Sequence, residues 1–140
     1  MFKKILLAGD GSPHSIRACE KAIYLAKHTE GSSITFIHVV DDVPSQADVM
    51  DAEMRPRDIP DHRKARILPL QQKIESENIS LNVKHAFGEP GPTIVREAND
   101  GNYDVVVIGS RGLNQFQQMV LGSVSHKVAK RVHCPILIVK

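Results

Sequence analysis

Val105-Val106-Val107-Ile108 runs directly into Gly109-Ser110-Arg111-Gly112. Four consecutive β-branched residues suit a strand buried on both faces, because a half-exposed strand alternates apolar with polar. The two glycines let the chain turn and let its backbone come close to another group. After nine intervening residues comes Gly122-Ser123, and Val124, Val128 and Val132 then follow at helical spacing. Ser123 therefore opens a helix, with Lys127, Lys130 and Arg131 towards its C-terminus, where cations suit the helix dipole. A buried strand, a glycine loop and a helix together make an α/β unit.

The rest of the chain repeats that alternation. Further apolar runs are Ile5–Ala8, Ile34–Val40, Leu81–Phe87 and Ile136–Val139. In the third, Leu81, Val83, His85 and Phe87 alternate with polar residues, so it reads as a half-exposed edge strand. Ser12 before Pro13 is an N-cap followed by a first-turn proline. Cys19, Ala22, Ile23 and Ala26 form the apolar stripe of that helix, and Gly31 marks its end. A second helix is expected from Asp61 to Ser76, with Ala65, Leu68 and Gln72 on one face and Pro69 kinking it or starting it early. A third is expected near Pro92, carrying Ile94, Val95 and Ala98. The segment from Asp41 to Pro60, rich in proline and mixed charge, reads as a flexible surface loop, with Met50 and Met54 packing over a cleft or an interface.

Composition narrows the function classes. The 140 residues suffice for one domain spanning 1–140; 41% are hydrophobic and 24% charged, as in an ordinary soluble protein. A net charge of +2 and six aromatics without tryptophan argue against a nucleic-acid surface. Apolar runs of about five residues fall far short of the ~20 that span a bilayer. Lys3-Lys4 before the first apolar run lacks the length of a signal peptide, and Asp10 interrupts it, so cytoplasmic residence is the expectation. Cys19 and Cys134, the only two cysteines, are expected as reduced, buried small hydrophobes.

In open α/β sheets, ligands bind beyond the C-terminal strand ends where strand order reverses. Three loops qualify: Gly9-Asp10-Gly11-Ser12, Gly88-Glu89-Pro90-Gly91 and Gly109-Ser110-Arg111-Gly112. The last has the strongest claim, since Gly122-Ser123 supplies a helix N-terminus suited to phosphate. Ser123 and Ser125 offer hydroxyls and Arg111 a guanidinium. Turn chemistry alone also explains such glycines. There is no GxxxxGK loop, and Gly9-x-Gly11 lacks a third glycine. Asp10 doubles as a turn residue, and His38 inside an apolar strand reads as a core histidine. His133-Cys134 is too little for zinc, and Ser12 with His14 lacks an acidic third member.

The complete pattern resembles the universal stress protein family, whose nucleotide-binding members carry Gly, two residues, Gly, nine residues, then Gly with Ser or Thr. Gly109, Gly112, Gly122 and Ser123 match without a gap. KKILLAGDGSPHS, YDVVVIGSRG and HCPILIVK resemble its first, fourth and closing strands, so the likeness spans nearly the whole chain. It implies an open five-stranded parallel sheet of order 3-2-1-4-5 with helices on both faces, Rossmann-like and of the adenine nucleotide alpha hydrolase type. It also implies binding of ATP, ADP or AMP, with or without Mg²⁺. Gly9 and Asp10 would approach the nucleoside, and main chain at Val39 or Val40 the adenine. Gly109, Arg111, Gly112, Gly122, Ser123, Val124 and Ser125 would hold ribose and phosphates. Family loops often place a basic residue before the last glycine, whereas Asn114, Gln115, Gln117 and Gln118 are neutral here.

Three functions stay open on these grounds: a nucleotide-binding regulatory module of the stress response, a slow ATP hydrolase, and a stress protein acting through protein contacts without nucleotide. Hydrolysis needs a metal-holding carboxylate. Asp104 precedes its strand, ~16 Å from Gly109 by strand rise, leaving Asp10, with Asp41 or Asp42 as further candidates, at the correct end. The apolar edge strand Ile136–Val139 also predicts a homodimer, as in the family.

Overall fold

The structure, a computed structural model, describes residues 2–40, 61–111 and 121–140. Among these the elements alternate: β1 Lys4–Ala8, α1 Pro13–Lys27, β2 Ser33–Val40, α2 Asp61–Glu75, β3 Ser80–Phe87, α3 Pro90–Asp100, β4 Val105–Gly109, α4 Ser123–Arg131 and β5 Ile136–Val139. The five strands form one sheet of order β3-β2-β1-β4-β5, parallel throughout. The expected single-domain α/β fold is therefore the observed one. The segment 41–60 and the loop residues 112–120, Gly112 and the four neutral side chains among them, lie outside the described residues.

Strand periodicity divides the core into two layers. Ile5, Leu7, Phe36 and Val107 face α1 and α2, burying Ala18, Cys19, Ala22, Ile67, Leu70 and Ile74. Leu6, Ile37, Val106 and Ile108 face α3 and α4, burying Ile94, Ala98 and Val128. The continuous apolar runs of β1, β2 and β4 are thus strands covered on both sides. β3 alternates exposed with half-buried positions from Ser80 to His85, as its sequence predicts, and stays half-buried at Ala86 and Phe87.

Three expectations need correction. The buried stripe of α2 is Ile67, Leu70 and Ile74, while Leu68 is 46% exposed and Ala65 and Gln72 lie outside. The observed stripe lies two residues on from the expected one, ~200° around the helix, and it is the more apolar of the two, since the expected stripe carries Gln72. The helix spans Asp61 to Glu75 with Pro69 inside it. Proline removes an N–H that would bond the carbonyl of Ala65, and both residues are exposed. Helix α3 begins at Pro90, with Glu89 as N-cap, rather than near Pro92. In α1 the N-cap is as expected, with Ser12 Oγ accepting from the Ser15 N–H, but the helix stops at Lys27. Gly31, at φ +77°, then turns the chain into β2.

Candidate functional site

A cavity of about 300 Å³ opens at the C-terminal ends of β1, β2 and β4, where the strand order reverses. Its apolar wall comes from Ala8, Ile37, Val39 and Ile108, with Pro90 and Ile94 of α3. Gly9, Asp10 and Ser15 line it from the β1–α1 loop and helix start. Gly109, Arg111, Gly122, Ser123, Val124 and Ser125 line it from the β4 end and α4. Of the residues singled out by sequence, Gly112 lies outside the described residues, and Val40 is fully buried beside the cavity.

The β4 end and α4 are tied to each other. The Gly122 N–H donates to the Ser110 carbonyl at 2.7 Å, and the Ser110 N–H donates to Val139 at 2.7 Å. Ser125 Oγ lies 2.8 Å from the Ser110 carbonyl and 3.1 Å from that of Gly122. Its hydroxyl is buried and spent on closing the loop. These bonds place the α4 N-terminus, with no acidic residue in its first turn, against the cavity. Free N–H groups and the positive end of the dipole are therefore presented there. Gly109 has a packing reason as well: a Cβ there would lie 2.8 Å from His14 Cβ.

The β1–α1 loop is a compact turn. The Ser12 N–H donates to Asp10 Oδ1 at 2.9 Å, and the Gly11 N–H to Ser15 Oγ at 3.0 Å. Asp10 thus acts as a turn residue while its side chain lines the cavity. Gly11 sits at φ +86°, and a Cβ there would run into Arg66 Cγ and stand 2.8 Å from the Arg66 carbonyl. Only glycine lets α2 lie this close to the loop.

Strand geometry distinguishes Val39 from Val40. The Val40 carbonyl accepts from the Gly88 N–H on the β3 side at 3.2 Å. Successive residues of a strand direct their main-chain groups to opposite edges, so those of Val39 face the β1 side. β1 pairs with β2 only as far as Ala8 opposite Ile37, and the Val39 groups face the cavity.

Other conspicuous residues fall outside this chemistry. Asp104 lies at the opposite end of the sheet, its carboxylate accepting from the N–H groups of Lys3 and Lys4 at 3.0 and 2.9 Å. His38 is buried, its Nδ1 3.3 Å from that of His85. Burial pushes the His38 ring down to about 4, with the neighbouring His85, Arg63 and Arg66 adding to the effect. Burial raises the Cys19 thiol to about 11, and both cysteines are free; Cys134 is only half-buried. Among the described residues no three His, Cys, Asp or Glu side chains gather to hold a metal. No helix among them is long and apolar enough to cross a membrane.

Sequence reading missed Arg63 and Arg66, both lining the cavity from α2, and the apolar wall of Ile37, Pro90 and Ile94. The arginines were legible in principle. They continue the 3–4 residue spacing of Ile67, Leu70 and Ile74 towards the N-terminus.

Comparison with known proteins agrees with the architecture. The family model described as the universal stress protein family matches residues 1–140. The chain is 31% identical over 152 residues to the universal stress protein YxiE of Bacillus subtilis, covering 100% of both chains. It superposes on the universal stress protein UspA from Lactobacillus plantarum with a TM-score of 0.79 at 22% identity, covering 99% of this chain and 98% of that one. It also matches the universal stress protein from Archaeoglobus fulgidus in complex with dAMP, with a TM-score of 0.71 at 20% identity, covering 100% and 98%. The chain belongs to the universal stress protein family.

Proposed function

We propose that the cavity binds an adenine nucleotide and that its occupancy sets the conformation or partner choice of this stress protein. The observation that carries the reading is the closure of Gly122 onto Ser110, which turns a helix N-terminus into a wall of the cavity at the strand reversal. The base has an apolar wall of Ile37, Val39 and Ile94, and the main-chain groups of Val39 suit its polar edge. Asp10 is within the cavity to bond the sugar. The phosphates would rest on the Gly109 turn, Arg111 and the N–H groups from Ser123 onward. Ser125 supports that wall, since its proton is committed to backbone carbonyls. The dAMP complex of the Archaeoglobus relative supports the ligand class.

The donor set fits the nucleotide better than a protein-held metal, because Asp10 is the one acidic side chain among the described residues lining the cavity. A Mg²⁺ ion would be carried chiefly by the phosphates. Asp104, which a hydrolase reading might recruit, is at the far end, so slow or absent ATP turnover is the expectation. We also propose a homodimer through β5, which pairs on one side only and leaves Leu137 37% exposed. The deciding experiment releases any ligand retained on purification with acid and identifies it by mass spectrometry, alongside calorimetric titration of ATP. Absence of any adenine nucleotide in the first, with no heat of binding in the second, would falsify the nucleotide reading.

A further inference from the structure

Helix α2 lays one continuous stripe across the sheet. Ile67, Leu70 and Ile74 on that stripe are buried against Ile5, Leu7 and Phe36. One turn nearer the N-terminus, at 63 and 66, the spacing is kept but the residues are arginine. They line the cavity beyond the strand ends. Arg63 is half-buried there and Arg66 exposed. Arg63, Arg66 and Arg111 are the basic side chains among the described residues lining the cavity, so two of its three cations come from α2. Beyond Arg111 the glycine loop adds none, since Asn114, Gln115, Gln117 and Gln118 are neutral.

We infer that Arg63 and Arg66 are specificity-determining residues that recognise the anionic part of the bound nucleotide, so that the cleft selects phosphorylated adenosine over adenosine. This rests on the nucleotide reading above. The guanidinium is suited to the task, being permanently charged and able to bond two phosphate oxygens at once. Electrostatics point the same way. Arg63 and Arg66 both press on His38, Arg111 presses on His14, and Asp10 opposes each effect. Asp10 therefore shares the cavity with all three cations. Arg66 is also held in place, its stem and carbonyl packed onto the glycine-only position Gly11.

The test is calorimetric titration of ATP and, separately, adenosine into wild type and an Arg63→Gln/Arg66→Met double variant; Met retains the stem over Gly11. Expected is a loss of about ten-fold or more in ATP affinity, the scale of a lost charged hydrogen bond, with adenosine affinity nearly unchanged. Arg63→Lys/Arg66→Lys should recover part of the loss for ATP. If thermal melts show the double variant unfolded, Arg63→Gln alone carries the comparison. Equal losses for ATP and adenosine would overturn the inference, because the arginines would then serve the nucleoside or the shape of the cleft. Unchanged affinity for both would overturn it too, while leaving the nucleotide site standing. A wild-type chain that takes up neither ligand removes the nucleotide reading itself, and this inference with it.

Discussion

Gly122 and Ser110 are joined by a 2.7 Å hydrogen bond from the glycine N–H to the serine carbonyl. Twelve positions separate them in the chain, and the bond brings the end of β4 and the start of α4 to one wall of the cavity. Gly122 itself has φ −71° and ψ 167°, extended backbone open to any residue. Its value under the proposed function is therefore close approach rather than unusual conformation. Gly122→Val is expected to remain folded and to lose ATP binding, because a branched side chain occupies the space of the phosphates. Calorimetry on a folded variant with wild-type affinity would move the phosphates elsewhere.

Ser125 predicts a different pattern. Its hydroxyl bonds to the Ser110 and Gly122 carbonyls are buried, so Ser125→Ala should cost about 1–2 kcal/mol of stability. Nucleotide affinity should fall only through the loosened wall. Urea unfolding checks this; a variant of unchanged stability that loses ATP alone would return Ser125 to direct phosphate contact.

Asp10 holds a turn and lines the cavity, so alanine confounds the two roles. Asp10→Asn keeps an oxygen for the Ser12 N–H and removes the charge. Fold stability should be nearly retained, while ATP and adenosine affinities should fall together by about ten-fold. A loss confined to Mg²⁺ complexes of ATP would make Asp10 a metal ligand instead.

Acid should weaken the fold in a defined window. The folded-state pKa of His38 is about 4, against 6.5 for an unperturbed ring. Between those values the unfolded chain binds a proton that the folded one does not. Stability is therefore fully present above pH 6.5, falls as pH drops towards 4, and levels off below. His38 contributes up to about 3 kcal/mol of that loss, and His85 and His14, also lowered chiefly by burial, act in the same direction. Melting temperatures from pH 7.5 to 4.5 should show the decline, and His38→Gln should flatten it. An equally steep profile in the variant would assign the effect to other groups.

The dimer prediction becomes sharper with the burial of β5 known. Val139 belongs to the core and is 8% exposed, whereas Leu137 is 37% exposed on the same strand. Leu137→Lys alone should yield a folded monomer by light scattering at tens of micromolar. A wild-type monomer under those conditions would end the proposal.

The order of strands and helices was legible without coordinates because burial writes itself into periodicity. Val105–Ile108 is apolar on both faces since two helical layers cover it, and Leu81–Phe87 alternates since, as an edge strand, it is only partly covered. Gly109, Gly122 and Ser123 were legible too, because a turn and a helix start demand particular residues locally. On α2 the Ile67, Leu70 and Ile74 stripe is more apolar than Ala65, Leu68 and Gln72, so its inward face was legible but misread. Tertiary packing sets how that helix is turned, with Ile67, Leu70 and Ile74 against Ile5, Leu7 and Phe36 and Leu68 exposed. That choice of rotation, made across β-strands distant in sequence, also aims Arg63 and Arg66 at the cavity. Residue spacing thus determined the elements and the glycine half of the site. The packing of α2 over Gly11 decided the cationic half, because the side a helix presents is fixed by what it buries against.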